Sequence, residues 1–322
     1  MNRRRVCLGA AAVALALPLA GCMTVHGERE NIPSASTSEA ARALADFTVI
    51  NNRVGRAYDA KGIAEVESGA LGATDAAGLT AKHANHPQGN PDYKPLAFSD
   101  SHYLIPRQVG WPKYFVVDTA TNRSSTARWL LVFRRAAAGD PWKASYVAAV
   151  ATADMPKFAR DKDGYAVPLG LAGTDLLVQP GQLSADYSTY LGGSGGSDVF
   201  ADGPSTSQVR SDRNAHAKTA NSVTQYADQP AAGGDFTPVA LRTADGGALV
   251  FFASRHQSRA TFRAGYRLSI DDDTKALMTG TPRTSVTLSR LADSAVTVPK
   301  AGGGKKVVFL SRVVGLVTAK GE

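Results

Sequence analysis

The chain has 322 residues, 43% of them hydrophobic and 20% charged, a balance that suits a globular protein and excludes wholesale disorder and collagen-like repeats. Its 36 Lys and Arg against 28 Asp and Glu give +8, which falls to +5 once Arg3, Arg4 and Arg5 leave with an N-terminal signal. That charge is spread along the chain without the clustered basic stripe of a nucleic-acid binder, so no nucleic-acid partner is expected.

The chain opens with three arginines, continues through a mostly apolar run from Val6 to Leu19, and closes it with Leu19-Ala20-Gly21-Cys22. Basic, apolar and small in that order is the secretory pattern. Leu-Ala-Gly-Cys resembles the lipobox of bacterial lipoproteins, which implies cleavage between Gly21 and Cys22 and a diacylglyceryl group on the Cys22 thiol. The alternative is an uncleaved signal anchor, since no charge falls between Val6 and Val25, but the segment is largely alanine and Pro18 would disrupt a helix in it. Arg3-Arg4-Arg5-Val6-Cys7-Leu8 also loosely resembles a twin-arginine export signal, and the export route stays open. Cys7 leaves with the signal and Cys22 carries the lipid, so the mature fold rests on its apolar core without disulfides. Two acyl chains bring on the order of 30 methylenes into the bilayer at roughly 0.8 kcal/mol each, an effectively permanent anchor. The expected location is therefore the outer face of the cytoplasmic membrane, with residues 22–37 as a polar tether.

From Ser38, the expected N-cap, to about His83 the apolar spacing is helical, with Ala41, Leu44, Phe47 and Ile50 opening one face. Gly62, Gly69, Gly72 and Gly78 divide it into two or three helices. The period then changes to two, predicting strands at about 98–107, 113–119, 127–135 and 142–152. A second helical stretch is expected at about 181–191 and 205–227, followed by strands at about 236–243, 247–256, 260–270, 284–290, 294–299 and 306–318. Helices followed by an antiparallel meander thus occur twice, an α+β layout with a boundary near 168–180, where Pro168, Gly170, Gly173, Pro180 and Gly181 cluster. The expected organisation is a signal peptide over 1–21, the lipidated tether over 22–37, and two α+β domains over 38–170 and 171–322.

That order resembles the nuclear-transport-factor-2-like cone, a cystatin-like fold in which helices close over a curved antiparallel sheet; the resemblance implies two tandem cone-like domains. The lipobox together with Tyr103-Leu-Ile-Pro-Arg107, Pro112-Lys-Tyr-Phe-Val116, Leu130-Leu-Val-Phe133 and Gly247-Ala-Leu-Val-Phe-Phe252 is similar to a group of lipoproteins from high-GC actinobacteria to which no activity is assigned.

Candidate chemistry is sparse. Gly192-Gly-Ser194-Gly-Gly196 matches G-x-S-x-G literally but lacks the strand before and helix after that a nucleophile elbow needs, and reads as a loop. Gly302-Gly-Gly304-Lys-Lys306 lacks the spacing and hydroxyl of a phosphate loop and reads as a turn between strands. His83 and His86 want a third ligand to hold zinc, and Asp271-Asp272-Asp273 lacks the alternation of a calcium loop and reads as a hairpin turn. No metal and no cofactor are expected. The cone resemblance implies that an enzyme would place an Asp or His base in the mouth, and Asp100 and His102, two apart on a predicted strand, are the candidates. Trp111 and Trp129 are candidate pocket walls. With no catalytic constellation identified, the expected function is a non-catalytic binding or scaffold lipoprotein engaging an envelope protein or a small ligand. The alternative is a cone-fold isomerase or hydrolase.

Overall fold

The computed structural model describes residues 30–322 except 174 and 267; Gly21 and Cys22, the expected cleavage and lipidation positions, lie outside the described residues. In chain order the first half carries β1 (Ile32–Pro33), α1 (Thr37–Ala57), α2 (Gly69–Asn85), β2 (Phe98–Leu104), β3 (Arg107–Gln108), β4 (Lys113–Thr121), β5 (Ser124–Arg135) and β6 (Lys143–Ala151). The second half carries α3 (Leu183–Leu191), α4 (Ser207–His216), β7 (Ser222–Ala231), β8 (Val239–Arg242), β9 (Ala248–Phe262), α5 (Asp272–Ala276), β10 (Met278–Gly280), β11 (Ser285–Val298) and β12 (Val308–Gly321).

Ser36 starts α1. Its Oγ accepts from the Glu39 N–H at 3.1 Å and its own N–H donates to the Glu39 carboxylate at 3.4 Å, a reciprocal capping box. Ser38, the expected cap, sits inside the first turn instead, because it is Ser36 that has an acid three residues on. Ile32 and Pro33 already pair with Gln108 and Arg107, so these residues of the expected tether dock on the body.

Two sheets follow from the two meanders. The first runs β2-β4-β5-β6 and is antiparallel throughout. The second runs β10-β12-β11-β9-β7, with β8 also on β9 and only β10 joined in parallel. Alternation along each strand sends side chains to two faces, and in both sheets both faces are apolar, so both must be covered. Phe115, Val117, Leu131 and Phe133 face α1 and α2. Val116, Leu130, Val132 and Tyr146 face the other way, against Leu249, Phe251 and Ala253 of the second sheet. Val250, Phe252, Val296 and Val298 then face α3, through Leu183, Tyr187, Tyr190 and Leu191. The result is a mixed α+β body of four layers, helices outside and two antiparallel sheets packed face to face inside.

Several expected boundaries move. The helix expected over 205–227 ends at His216, and Val223 and Tyr226 lie on β7, which pairs residue for residue with β9. Their i, i+3 spacing imitates a helix, but β9 offers an unpaired edge and the pairing decides. The strands expected at 247–256 and 260–270 form the single β9 ending at Phe262, and those at 284–290 and 294–299 form the single β11. The polar run from Arg255 to Arg259 reads as a break only because one of its faces leaves the core. Asp271 does not sit in a hairpin: it caps α5, accepting from the Thr274 N–H at 2.8 Å, and Asp273 of that helix pairs with Lys82 of α2 at 2.7 Å. Gly302 to Lys306 join β11 to β12, and Gly192 to Gly196 form the loop after α3.

Candidate functional site

A cavity of about 340 Å³ lies between α1, α2 and the first sheet. Phe47 and Asn51, one turn apart on α1, form one wall; Leu71 and Asp75, one turn apart on α2, form another. Trp129 and Leu131 of β5, paired with Ala149 and Val147 of β6, form the floor. Leu96, Arg123 and Val313 of β12 complete the lining, so the second half contributes to the cavity of the first.

Glu67 is pinned at the inner end. The flanking backbone is held to β6, the Ser68 N–H donating to the Ala144 carbonyl at 2.9 Å and the Ala144 N–H to the Val66 carbonyl at 2.8 Å. Gly72 then lets α2 lie directly over it: a Cβ there would meet the Glu67 carbonyl carbon at 3.1 Å. Glu67 is only 3% exposed, and neither carboxyl oxygen has a hydrogen-bond partner of ordinary geometry. Its neighbours are the Asp75 carboxyl and the Asn51 amide. Burial, and then the Asp75 charge, push the Glu67 carboxyl well above its ordinary range; burial raises Asp75 to about 6. Two acids in an apolar enclosure disfavour each other's ionised form, so the pair holds on to a proton more tightly than separate carboxyls would.

A third acid lies behind the floor. Asp293 of β11 is fully enclosed and accepts from the Val147 N–H at 2.6 Å through Oδ2, while Oδ1 is buried without a partner. Burial, with a further push from Asp75, raises its carboxyl well above the usual range despite that hydrogen bond. The three acids do not form a metal cage: among the described residues no group of three or more His, Cys, Asp or Glu is placed to hold an ion.

The positions singled out from the sequence fall elsewhere, with one exception. Trp129 lines the cavity, its ring edge-on to Phe98 at 5.8 Å. Trp111 lies instead under two cations, Arg135 at 5.0 Å and Lys113 at 5.5 Å from its ring centre. Asp100 and His102 sit on the solvent face of β2, with side chains 62% and 59% exposed, at a bulge where Asp100 adopts φ 47. Asp100 pairs with Arg128 at 2.8 Å, which holds its carboxyl below the usual range, and with His102 at 3.1 Å. His83 lies in the last turn of α2 and His86 caps its end.

Glu67, Asp75 and Asp293 were not among those positions, though a signal existed for one of them. Asp293 falls between Leu291 and Ala295 on the inward phase of an apolar strand, where a charge is out of place. Nothing local marks Glu67 and Asp75, because what buries them is β6 and β12, remote in sequence.

The corresponding side of the second half is solid. Tyr187, Tyr190, Phe200, Phe252 and Phe309 fill the space between α3 and the sheet, Tyr187 and Phe309 at 4.8 Å and Tyr190 and Phe200 at 5.3 Å between ring centres. Beside them Ser254 Oγ lies 2.8 Å from His256 Nε2, His256 Nδ1 lies 2.6 Å from Asp228, and Asp228 takes two bonds from Arg213 at 2.6 and 2.9 Å. The contacts are those of a hydrolase triad. Ser254, however, is fully buried and His256 is 5% exposed under the Tyr187 ring, so no substrate carbonyl can reach the hydroxyl. Burial lowers the His256 pKa, and the His256 and Arg213 contacts hold Asp228 low in spite of its own burial. With Asp228 ionised, Nδ1 carries the proton and Nε2 accepts from Ser254. The array fastens α4 and β7 to β9.

Residues 32–321 match the family described as Domain of unknown function (DUF8094), and the chain belongs to that family. It is 46% identical, over 97% of its length and 94% of the other's, to a protein of Streptomyces avermitilis named "Uncharacterized lipoprotein". It is 44% identical, over 98% of its length and 94% of the other's, to one of Streptomyces coelicolor that bears the same description. No solved structure matches it.

Proposed function

We propose that the protein is an exported lipoprotein, anchored through Cys22 at the outer face of the cytoplasmic membrane, whose first half holds a small ligand under its helices while the space under α3 of the second half is filled and serves as support. The observation that carries the ligand reading is the cavity under α1 and α2, whose size lies at the lower end for small-molecule sites and whose lining is apolar with a few converging polar groups. The anchor reading rests on Leu19-Ala20-Gly21-Cys22 and on relatives that carry the lipoprotein name. Helices preceding a mainly antiparallel sheet in each half, four-stranded in the first and six-stranded in the second, support the nuclear-transport-factor-2-like reading of two related units, here set back to back.

The anchor is tested by fractionation. Cys22→Ala moves the protein out of the membrane fraction and abolishes incorporation of labelled fatty acid; a Cys22→Ala protein retained in the membrane would mean an uncleaved anchor. The ligand reading is tested by native mass spectrometry of the detergent-solubilised protein from its own envelope, where a bound small molecule lost on filling the cavity with Ala149→Trp supports it. An empty protein that takes up nothing from an envelope extract refutes it.

One observation favours a second reading, as an enzyme: Glu67 and Asp75 are titrating groups whose environments separate their affinities for a proton, as an acid and base pair requires. In that reading these two carboxyls, and not Asp100 and His102, carry the proton transfers. Glu67→Gln and Asp75→Asn would then abolish turnover of the bound molecule, whereas a simple binder leaves that molecule unchanged.

A further inference from the structure

The chemistry of the ligand follows from what the cavity leaves unmet. Glu67 is almost wholly buried and lines the cavity with neither oxygen in a hydrogen bond of ordinary geometry. The Asn51 amide is the one donor beside it, and a buried carboxyl so short of donors is costly and rare in native proteins. Asp75 stands beside Glu67, and the lining offers the two carboxyls no cation at close range. The one basic residue in the lining, Arg123, is exposed at the turn between β4 and β5 and donates to the Lys94 carbonyl at 2.6 Å. Asp293, behind the floor, adds negative potential rather than relieving it.

Apart from Asn51, the rest of the lining is apolar, chiefly Phe47, Leu71, Leu96, Trp129, Leu131 and Val147, which suits an apolar body. At the density of liquid water, about 30 Å³ per molecule, the volume holds on the order of ten non-hydrogen atoms. An anion would face two or three carboxyls, and a hydrated metal ion would find no cage.

We propose that this cavity binds a small organic monocation, an amine or amidine on an apolar body, whose N–H donors are taken by Glu67 and Asp75 and whose body lies against Phe47, Leu71 and Trp129. This rests on the reading of the first half as a ligand holder and names the class of ligand.

The test uses the full-length, detergent-solubilised lipoprotein and matched probes: benzylamine, phenethylamine and cyclohexylmethylamine, each against its neutral alcohol, with phenylacetate as the anion. Binding is read by calorimetry and by the fluorescence of Trp129. The amines bind at least about tenfold more tightly than their alcohols, the size of one hydrogen bond to a charged group, and phenylacetate does not bind. Glu67→Gln and Asp75→Asn each weaken the amines by about tenfold or more and leave the alcohols within about threefold, which also reports that the variants are folded. Alcohols that bind as tightly as amines, or amines indifferent to both variants, would overturn the cation assignment and leave the ligand holder standing. Failure of every probe to bind would overturn both.

Discussion

The side chain of Asp293 on β11 accepts a hydrogen bond from the backbone N–H of Val147 on β6 at 2.6 Å, across 146 residues of sequence. β6 is the edge of the first sheet, and its outward N–H groups need partners other than another strand. The second half supplies one, so this edge and the cavity floor it carries depend on both halves. Asp293→Ala leaves that N–H buried and unmet, at a cost of roughly 1–3 kcal/mol. Asp293→Asn keeps an acceptor and removes a buried acid, and its denaturation midpoint stays at or above that of the parent. Equal loss in both variants would show that the charge, not the acceptor, matters.

The three buried acids set a pH dependence of known sign. Each is raised in the folded state, so between its unfolded and folded pKa the native protein holds more protons than the unfolded chain, and stability falls as pH rises. For Asp75 the window runs from about 4 to about 6, with a loss of about 3 kcal/mol that levels off above it. Glu67 and Asp293 extend the fall to higher pH. His256 and Asp228, lowered in the fold, act in the opposite sense, so the clean measurement is a difference. The melting temperature of Asp75→Asn minus that of the parent grows between pH 4 and pH 7; a constant difference would refute the assignment.

Gly315 of β12 lies against Thr74 of α2 so closely that a Cβ would stand 2.5 Å from the Thr74 Cβ and 2.6 Å from its methyl. Gly315→Ala therefore forces α2 away from the second sheet and costs roughly 1–3 kcal/mol. Because Asp75 is the next residue, the shift also opens the cavity. The check is thermal denaturation together with Trp fluorescence, and Thr74→Gly in the same chain recovers part of the loss.

Asp228 holds two cationic or potentially cationic partners, Arg213 and His256, at the edge of the aromatic core. Asp228→Ala leaves the Arg213 guanidinium uncompensated and is expected to destabilise by roughly 3–5 kcal/mol. Ser254→Ala removes only a hydroxyl and its bond to His256, at roughly 1 kcal/mol. A fluorophosphonate probe labels neither the parent nor the variant, since the hydroxyl is enclosed; labelling of Ser254 would show that α4 opens.

Apolar periodicity was enough to place both helical segments and most strands, because amphipathic alternation is local. The repeated order of helices and meander, the positions of α1 and α2, and the harmless character of Gly302 to Lys306 were all legible in this way. Misreadings came where local spacing was ambiguous and a remote strand decided: Val223 and Tyr226 on β7, and the uninterrupted length of β9 and β11. Trp129 could be named as a pocket wall because a large ring amid an apolar strand must pack on something. Its acidic companions could not, since Glu67 and Asp75 look like surface acids until β6 and β12 close over them.

By itself the sequence determined the export and lipid-attachment pattern, the α+β composition and the repeated order of helices and strands, all of which depend on neighbours within a few residues. Only the tertiary structure decided that the two sheets cover one another, that a cavity opens under α1 and α2 while rings fill the space under α3, and that Glu67, Asp75 and Asp293 are buried near the seam. The reason is physical: burial, and with it the proton affinity of a carboxyl, is a property of what surrounds a residue in space, and here those surroundings come from strands remote in sequence, 146 residues away in the case of Asp293.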